Sequence, residues 1–523
     1  MTRAREQEPG GEIDEVGAMR WRRGTTVILL AIGWVCAGSS FAQQPAATTS
    51  YATSLDAPED LAARIATILE DPALARAHVG LVVQVAETGE ILFDLQGDKL
   101  FVPASNTKIV TAAVALEALG PAYRWETTLA ATGQIREGVL EGDLWITGSG
   151  DPWLSRETVR SWPALLRRAG IERITGDVIG DDRRFVGPQW GEGWFWHEIY
   201  ASWASGVSAL QVRPNTVRAD LIPGARVGDR ARFQLRHQGP GIPMETDVRT
   251  GAPGSDVRLH YELPPEGGDV RLTGWIPAGD TVPLHLATHH PTLYLLNHLE
   301  QAVGNAGIEV NGSFRRAAPE EAPGPASWSH GVVSDSLGAA IAEMLKPSDN
   351  QVAESILRTV GYEAGAEGSA EAGLDVARGI LAGWGIERGA MALSDGSGLS
   401  RYNRIAPSAM ARLLRSMWQH PEHAVFLAGL PVAAVDGTMR SRLSGTPAEE
   451  NVRAKTGSLA AARALSGYLT DGAGETLVFS LMLNDYEVSG SVAVALEDLI
   501  IEQIALYRRP VQPGWPQYRE EGP

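Results

Sequence analysis

Apolar residues recur along this chain in two styles, one helical and one strand-like. Leu61, Ile65, Ile68 and Leu69 share one face of a segment from Glu59 to Glu70, so a helix is predicted there. Val79 to Ala86 then reads as a buried strand, with Leu81, Val82, Val83 and Val85 as its apolar residues. After a Thr88-Gly89 turn, a second strand is predicted over Glu90 to Leu95. The hairpin leads into Pro103-Ala-Ser-Asn-Thr-Lys108 and then into Ile109, Val110, Val114, Leu116 and Leu119, with Gly120-Pro121 as the stop. That helix is apolar nearly all round, which predicts burial.

The style changes after about Trp125. Short glycine-broken strands are predicted at 133–135, 140–147 and 176–179, with a helix over Ser155 to Ala169 between them. Residues 190–203 are rich in tryptophan, and Val212 to about Val282 is strand-and-turn sequence. Leu295, Leu296, Leu299 and Val303 mark an amphipathic helix over Thr292 to Gly304, and Pro319 to Pro325 reads as a crossing linker. Helices then resume: one carries Leu337, Ile341, Met344 and Leu345 and stops at Pro347, and another spans Gln351 to Val360. Strands close the chain at 452–456, 465–469 and 477–483, followed by a helix from about Val492 to Leu506. Strands at both ends with helices between them imply one α/β domain in two pieces, with a large insertion from about 126 to 325.

Three short motifs fall in this frame. Ser105 and Lys108 are three residues apart, so at a helix start both lie on one face. The serine can attack a carbonyl, and a lysine held among apolar groups can lose its proton near neutral pH and act as base. Lys346-Pro-Ser-Asp-Asn350 lies in a tight connection between two helices. Ser348 and Asn350 can point the same way there, the serine relaying a proton to a leaving amine and the asparagine holding Lys108 and donating to a substrate amide. Asp349 would point away in a structural role. Ala454-Lys-Thr-Gly-Ser458 falls on a predicted strand. Lys455 supplies a positive charge, Thr456 a hydrogen bond to a substrate carboxylate, and Gly457 room for the substrate backbone. The backbone N–H groups of Ser105 and Ser458 can form an oxyanion hole. The chemistry implied is acyl transfer from a substrate ending in a free carboxylate.

Composition narrows the setting. The chain has 523 residues, 44% hydrophobic and 21% charged, which is ordinary globular composition and too long for one core. A formal net charge of -18 argues against nucleic-acid binding. Arg20, Arg22 and Arg23, the apolar stretch Thr25 to Ala37, and Ser40-Phe-Ala42 read as a cleavable export signal, with the mature chain starting near Gln43. The only cysteine, Cys36, lies inside that signal, so neither disulfides nor cysteine-bound metals are expected after cleavage. His285, His289, His290 and His298 lack a metal-ligand spacing, and no metal or cofactor is expected.

The motif trio, in this order, is that of penicillin-binding proteins and class A β-lactamases. With Gly142-Asp-Leu-Trp-Ile-Thr-Gly-Ser-Gly-Asp-Pro152, Gly176-Asp-Val-Ile-Gly-Asp181, Ser394-Asp-Gly-Ser-Gly-Leu-Ser-Arg401 and Asp436-Gly-Thr-Met439, the chain resembles the D-alanyl-D-alanine carboxypeptidase/endopeptidase family, the class C low-molecular-mass penicillin-binding proteins. The resemblance implies an α/β (α+β) penicillin-binding, serine β-lactamase-like domain, an antiparallel sheet with helices, interrupted by two inserted mainly β domains. The parts fall at 1–42 (signal), 43–125 and 326–510 (penicillin-binding domain), 126–211 and 283–325 (one insert), 212–282 (a second, β-rich insert) and 511–523 (tail). It implies a periplasmic or cell-envelope enzyme, peptidoglycan stem peptides as substrate, and β-lactam antibiotics as covalent inhibitors. It also implies that Asp151 and Arg401 contact the diaminopimelate end of the peptide, although a Gly-Asp-Pro turn explains Asp151 equally well. Trp190, Trp194, Trp196 and Trp203 could stack on glycan, but packing between the inserted domains is the expected role. Two other readings stay open: a β-lactamase, for which no Glu-x-x-x-Asn element is evident, and a non-catalytic peptidoglycan-binding protein of the same fold.

Overall fold

The strand His78–Val85 sits inside a sheet with both faces covered, which explains why every residue after His78 is buried, Gln84 included. Val79, Leu81, Val83 and Val85 turn to one side, packing with the helices Leu61–Leu69 and Gly490–Leu506. Val82 turns to the other, toward the apolar helix that follows the first motif. Gly80 is required in this strand, because a Cβ there would lie 2.5 Å from the ring of Phe101.

The structure is a computed structural model and describes residues 60–236, 244–262 and 270–509. The expected signal peptide with Cys36, the lead-in at 43–55, the turns at 239–241 and 264–268, and the tail at 511–523 lie outside the described residues.

The sheet has five antiparallel strands in the order Arg453–Leu459, Ala462–Thr470, Thr476–Asn484, His78–Val85, Ile91–Leu95. The last strands of the chain therefore lie beside the first, and the Lys455 strand forms one edge. The helix Thr107–Leu119 is buried at every position from Thr107 to Leu116. It is walled by the helices Leu337–Leu345, Asn350–Ala364, Ala370–Gly383 and Pro407–Trp418. Burying its Ile, Val and Leu side chains contributes about 1.5–3 kcal/mol each.

Between these pieces runs a second sheet. Arg124–Arg136 pairs antiparallel with Val139–Thr147 on one side and with Ala326–Ser336 on the other. The helices Arg156–Arg168 and Pro291–Asn305 cover it, with Trp162, Leu166, Tyr294, Leu295 and Leu299 in the shared core. Two details differ from the sequence reading. The first strand starts at Arg124 rather than Gly133, because Trp125, Thr127, Leu129 and Ala131 alternate inward. The sheet also continues to Ser336, whereas the sequence places the return to the first domain at 326. Residues 326–336 are largely exposed, and only Trp328 and Val332 pack on the core of this sheet, so their hydrophobic signal is weak.

Two three-stranded sheets lie between Thr216 and Ala287. Leu221, Val248, Leu272 and Ile276 form their small common core.

Candidate active site

Ser105 sits in a 3-10 turn, Ala104–Asn106, that opens directly into Thr107–Leu119. Ala104 has a φ of 47°, and Ser105 is half-buried between buried neighbours. The Asn106 side chain donates to the Lys455 carbonyl at 2.8 Å, so the first motif is bonded to the third. A helix start leaves its first N–H groups without internal acceptors, and the Ser105 N–H is one of these.

Lys108 is fully buried, and its Nζ meets three groups: Ser105 Oγ at 3.1 Å, Asn350 Oδ1 at 2.5 Å and the Ser397 carbonyl at 2.5 Å. The last two can only accept. A neutral amine has two N–H groups and one lone pair, so those acceptors take both N–H groups and turn the lone pair to Ser105. Burial comes first in lowering Lys108 from 10.5 to about 8, against the nearby carboxylates of Asp395, Asp349 and Glu354.

Asn350 opens the helix Asn350–Ala364. Its Nδ2 donates to the Trp203 carbonyl at 2.7 Å. A carbonyl can only accept, so this bond fixes which way the amide lies and keeps Oδ1 on Lys108. Asp349 caps the same helix through Val352 N–H and pairs with Arg213, the structural role expected of it.

Ser348 has a φ of 66°, a strained value for a serine, and its hydroxyl accepts from Lys455 Nζ at 2.9 Å. Lys455 is also fully buried and donates to the Thr456 carbonyl at 2.8 Å. Its pKa lies well below 10.5, through burial first and the charge of Lys108 second. Thr456 Oγ1 donates to Thr438 Oγ1 at 2.7 Å. Gly457 has a different first duty from the one expected: a Cβ there would lie 2.5 Å from the Pro103 carbonyl oxygen, so the strand can approach the Ser105 turn only as glycine. Ser458 follows on the same strand, opposite Arg463.

The loop Asp395–Ser400 closes the back of the site. The Asp395 carboxylate accepts from Gly398 N–H, Ser400 N–H, Ser397 Oγ, Asn403 Nδ2 and Trp194 Nε1, all within 2.6–3.0 Å. Glu354 accepts from the N–H groups of Gly396 and Ser397 and is paired with Arg358, all fully or nearly fully buried. Gly398, with a φ of 83°, lies so close to the first motif that a Cβ would meet the Ala104 carbonyl oxygen at 1.9 Å.

The middle of the chain takes part as well. Gln211 donates to Ser355 Oγ, the Asn215 N–H donates to Gln351 Oε1, and Arg213 pairs with Asp349 and Glu343. This seam holds the helix of Asn350. The tryptophan-rich stretch divides: Trp194 bonds Asp395 and Gly191 abuts it, whereas the Trp190 Nε1–H donates to the Ala204 carbonyl within the insert. Trp190 stacks edge-on to His289, while Phe195, Trp196 and Trp203 are exposed.

Arg401 donates to the Ala460 carbonyl at 2.5 Å and lies 5.7 Å from the Phe195 ring, beside the third-motif strand. Asp151 is 4% exposed and accepts from Trp153 N–H, and burial pushes its carboxyl up to about 7. The contacts of Asp151 do not reach the three motifs. Sequence reasoning missed Ser397, Trp203, Thr438 and Asp395 as site residues. Ser397 and Trp203 act through main-chain carbonyls, which leave no side-chain signature.

Comparison with known proteins follows the same lines. Residues 61–503 match the D-Ala-D-Ala carboxypeptidase 3 (S13) family. The chain is 33% identical over 461 residues to a D-alanyl-D-alanine carboxypeptidase of Actinomadura sp. (strain R39), covering 85% of this chain and 84% of that one. It is 30% identical over 420 residues to D-alanyl-D-alanine carboxypeptidase DacB of Haemophilus influenzae, covering 78% and 86%. The crystal structure of penicillin binding protein 4 (dacB) from Haemophilus influenzae superposes with a TM-score of 0.76 at 27% identity, over 85% of this chain and 99% of that one. The same protein is also known in complex with a β-lactam, with a TM-score of 0.72. With a match that runs from the first described helix into the last, the chain belongs to the D-Ala-D-Ala carboxypeptidase 3 (S13) family of serine-type hydrolases.

Proposed function

We propose that this peptidase hydrolyses D-Ala-D-Ala termini of peptidoglycan stem peptides, and D-Ala cross-links, through an acyl-enzyme on Ser105. Lys108 takes the Ser105 proton as Oγ attacks the carbonyl carbon of the penultimate D-alanine. The N–H groups of Ser105 and Ser458 hold the developing oxyanion. Ser348, backed by Lys455, passes a proton to the departing amine as the D-alanine leaves, and the proton that Lys108 took returns to Ser348, so both groups are restored. Water then attacks the ester, with Lys108 again the base, and frees Ser105. Lys455 and Thr456 receive the terminal carboxylate of the substrate, and Asn350 uses its second N–H on the substrate amide.

The observation that carries this reading is the pairing of Lys108 with two acceptor-only groups, which leaves its lone pair for Ser105. Arg401, at the rim, and the buried carboxyl of Asp151 are the groups proposed for the diaminopimelate end of the peptide. The export signal read at 1–42 supports action in the periplasm or cell envelope, and β-lactams are the expected covalent inhibitors.

The test is intact mass after incubation with a penicillin, for the mature protein and for Ser105→Ala. One lasting adduct, absent from the variant, is expected. Rapid drug hydrolysis with no lasting adduct would make the protein a β-lactamase, and neither adduct nor hydrolysis would make it a binding protein.

A further inference from the structure

The turn Asp436-Gly-Thr-Met439 links the second motif to the third. Gly437 has a φ of 55° and lies against Lys346, where a Cβ would meet the carbonyl oxygen at 2.6 Å. The Thr438 N–H donates to that same carbonyl at 3.0 Å, and Lys346 Nζ is bonded to the Asp436 carboxylate. The turn is thereby pinned two residues before Ser348.

On its other side it touches the Lys455 strand. Thr456 Oγ1 gives its proton to Thr438 Oγ1 at 2.7 Å. Thr456 is 8% exposed, whereas Thr438 is exposed. A hydroxyl that accepts one hydrogen bond still has its own proton to give. Two hydroxyls therefore run in series from the buried strand to an exposed residue, the second keeping its own O–H to give. Hydrogen bonds in series polarise one another, so the terminal donor is strengthened. An anion is the ligand class that such a donor fits.

We propose that Thr438 is a substrate-binding residue: its hydroxyl, polarised by Thr456, donates to the C-terminal carboxylate of the substrate. The inference rests on the acyl-transfer reading above and moves the hydroxyl contact with the carboxylate from Thr456, whose proton is given to Thr438, to Thr438 itself. A backbone turn fixed to both motifs sets the position of this hydroxyl, so it also ties the grip on the carboxylate to the placing of Ser348.

The test uses the full mature chain, Thr438→Val, Thr438→Ala and Thr438→Ser. Each is assayed on an acyl-D-Ala-D-Ala peptide with a free carboxylate and on the same peptide with a C-terminal amide. A hydrogen bond to a charged group is expected to carry about tenfold or more in kcat/KM. Thr438→Val and Thr438→Ala should lose that factor on the free acid and clearly less on the amide, lowering the acid-to-amide ratio, while Thr438→Ser should retain the wild-type ratio. Equal losses on the two substrates, or no loss on the acid, would overturn the inference. Penicillin acylation of the wild type at Ser105 keeps the two ideas apart. If that adduct forms and the acid-to-amide ratio does not move, only the role of Thr438 fails. If it does not form, the acyl-transfer reading fails first and this inference falls with it.

Discussion

Lys108 and Asn350 stand 242 positions apart in the chain, yet Lys108 Nζ lies 2.5 Å from Asn350 Oδ1. That oxygen is neutral and can only accept, so it orients the amine while stabilising its charge far less than a carboxylate would. An anion at the same point would hold the ammonium form much more strongly. Asn350→Asp is nearly isosteric and should raise the Lys108 pKa, so acylation by a fluorescent penicillin should slow at pH 7 and recover partly at higher pH. Asn350→Ala should lose the orientation at all pH values, by about 10²-fold, the low end of what general-base assistance contributes.

In the wild type, the base form of Lys108 is the active one. With its pKa lowered by burial to about 8, the acylation rate should rise with pH, reach half its plateau near pH 8, and level off above. A rate series from pH 6 to 10 checks this, and a flat profile would remove Lys108 from the role of base.

Gly398→Ala places a Cβ against the Ala104 carbonyl and near the Ser105 N–H, at a φ that disfavours alanine. The Ser105 turn must move. Misplacement of about 1 Å costs on the order of 10²-fold in rate, so acylation should fall by that much. Circular dichroism should still report a folded protein.

Trp194→Phe keeps the ring but removes the N–H that meets Asp395 at 2.8 Å. An unmade bond to a buried acceptor costs about 1–3 kcal/mol, which denaturant titration can measure. Acylation should slow as well, because the same loop presents the Ser397 carbonyl to Lys108.

Asp151 gives a pH effect on stability. Its folded pKa is raised from 3.8 to about 7 by burial. Between those values the folded state holds a proton that the unfolded state has lost, so the contribution of this group to stability falls as pH rises. Asp151→Asn should therefore be the more stable protein at pH 8, by on the order of 3 kcal/mol, and no more stable than wild type near pH 4. Thermal unfolding of both proteins at the two pH values checks the sign.

Much of this was legible because side chains announced it. The spacing of Ser105 and Lys108 before an apolar helix, the Ser348-Asp-Asn350 turn before another, and Lys455 on a late strand all carry chemistry in their residue types. The α/β frame was legible for a similar reason: Leu81 to Val85 and Leu477 to Leu483 are apolar but for Gln84 and Ser480, a pattern that suits a strand covered on both faces. What stayed hidden acts through backbone or through polarity. Ser397 and Trp203 contribute carbonyls, which any residue could supply. The strand Ala326–Ser336 is largely exposed, with only Trp328 and Val332 packed on the core of its sheet, so little alternation betrays it. Trp194 was visible as a tryptophan, but its partner Asp395 lies 201 positions away, and nothing in the sequence links the two.

The position of the first strand has a consequence for how the protein is made. Val79 pairs with Leu483, and the Val102 N–H donates to the side chain of Asn484, 382 positions on. The sheet cannot close until almost the entire chain has been synthesised. Until then the apolar segment Thr107–Leu119 lacks the helices and strands that bury it. Such long-range closure is slow, and waiting apolar segments aggregate. Under the export proposed for this chain, that delay keeps it threadable. Overexpression without the proposed signal at 1–42 should therefore yield more inclusion bodies than soluble enzyme.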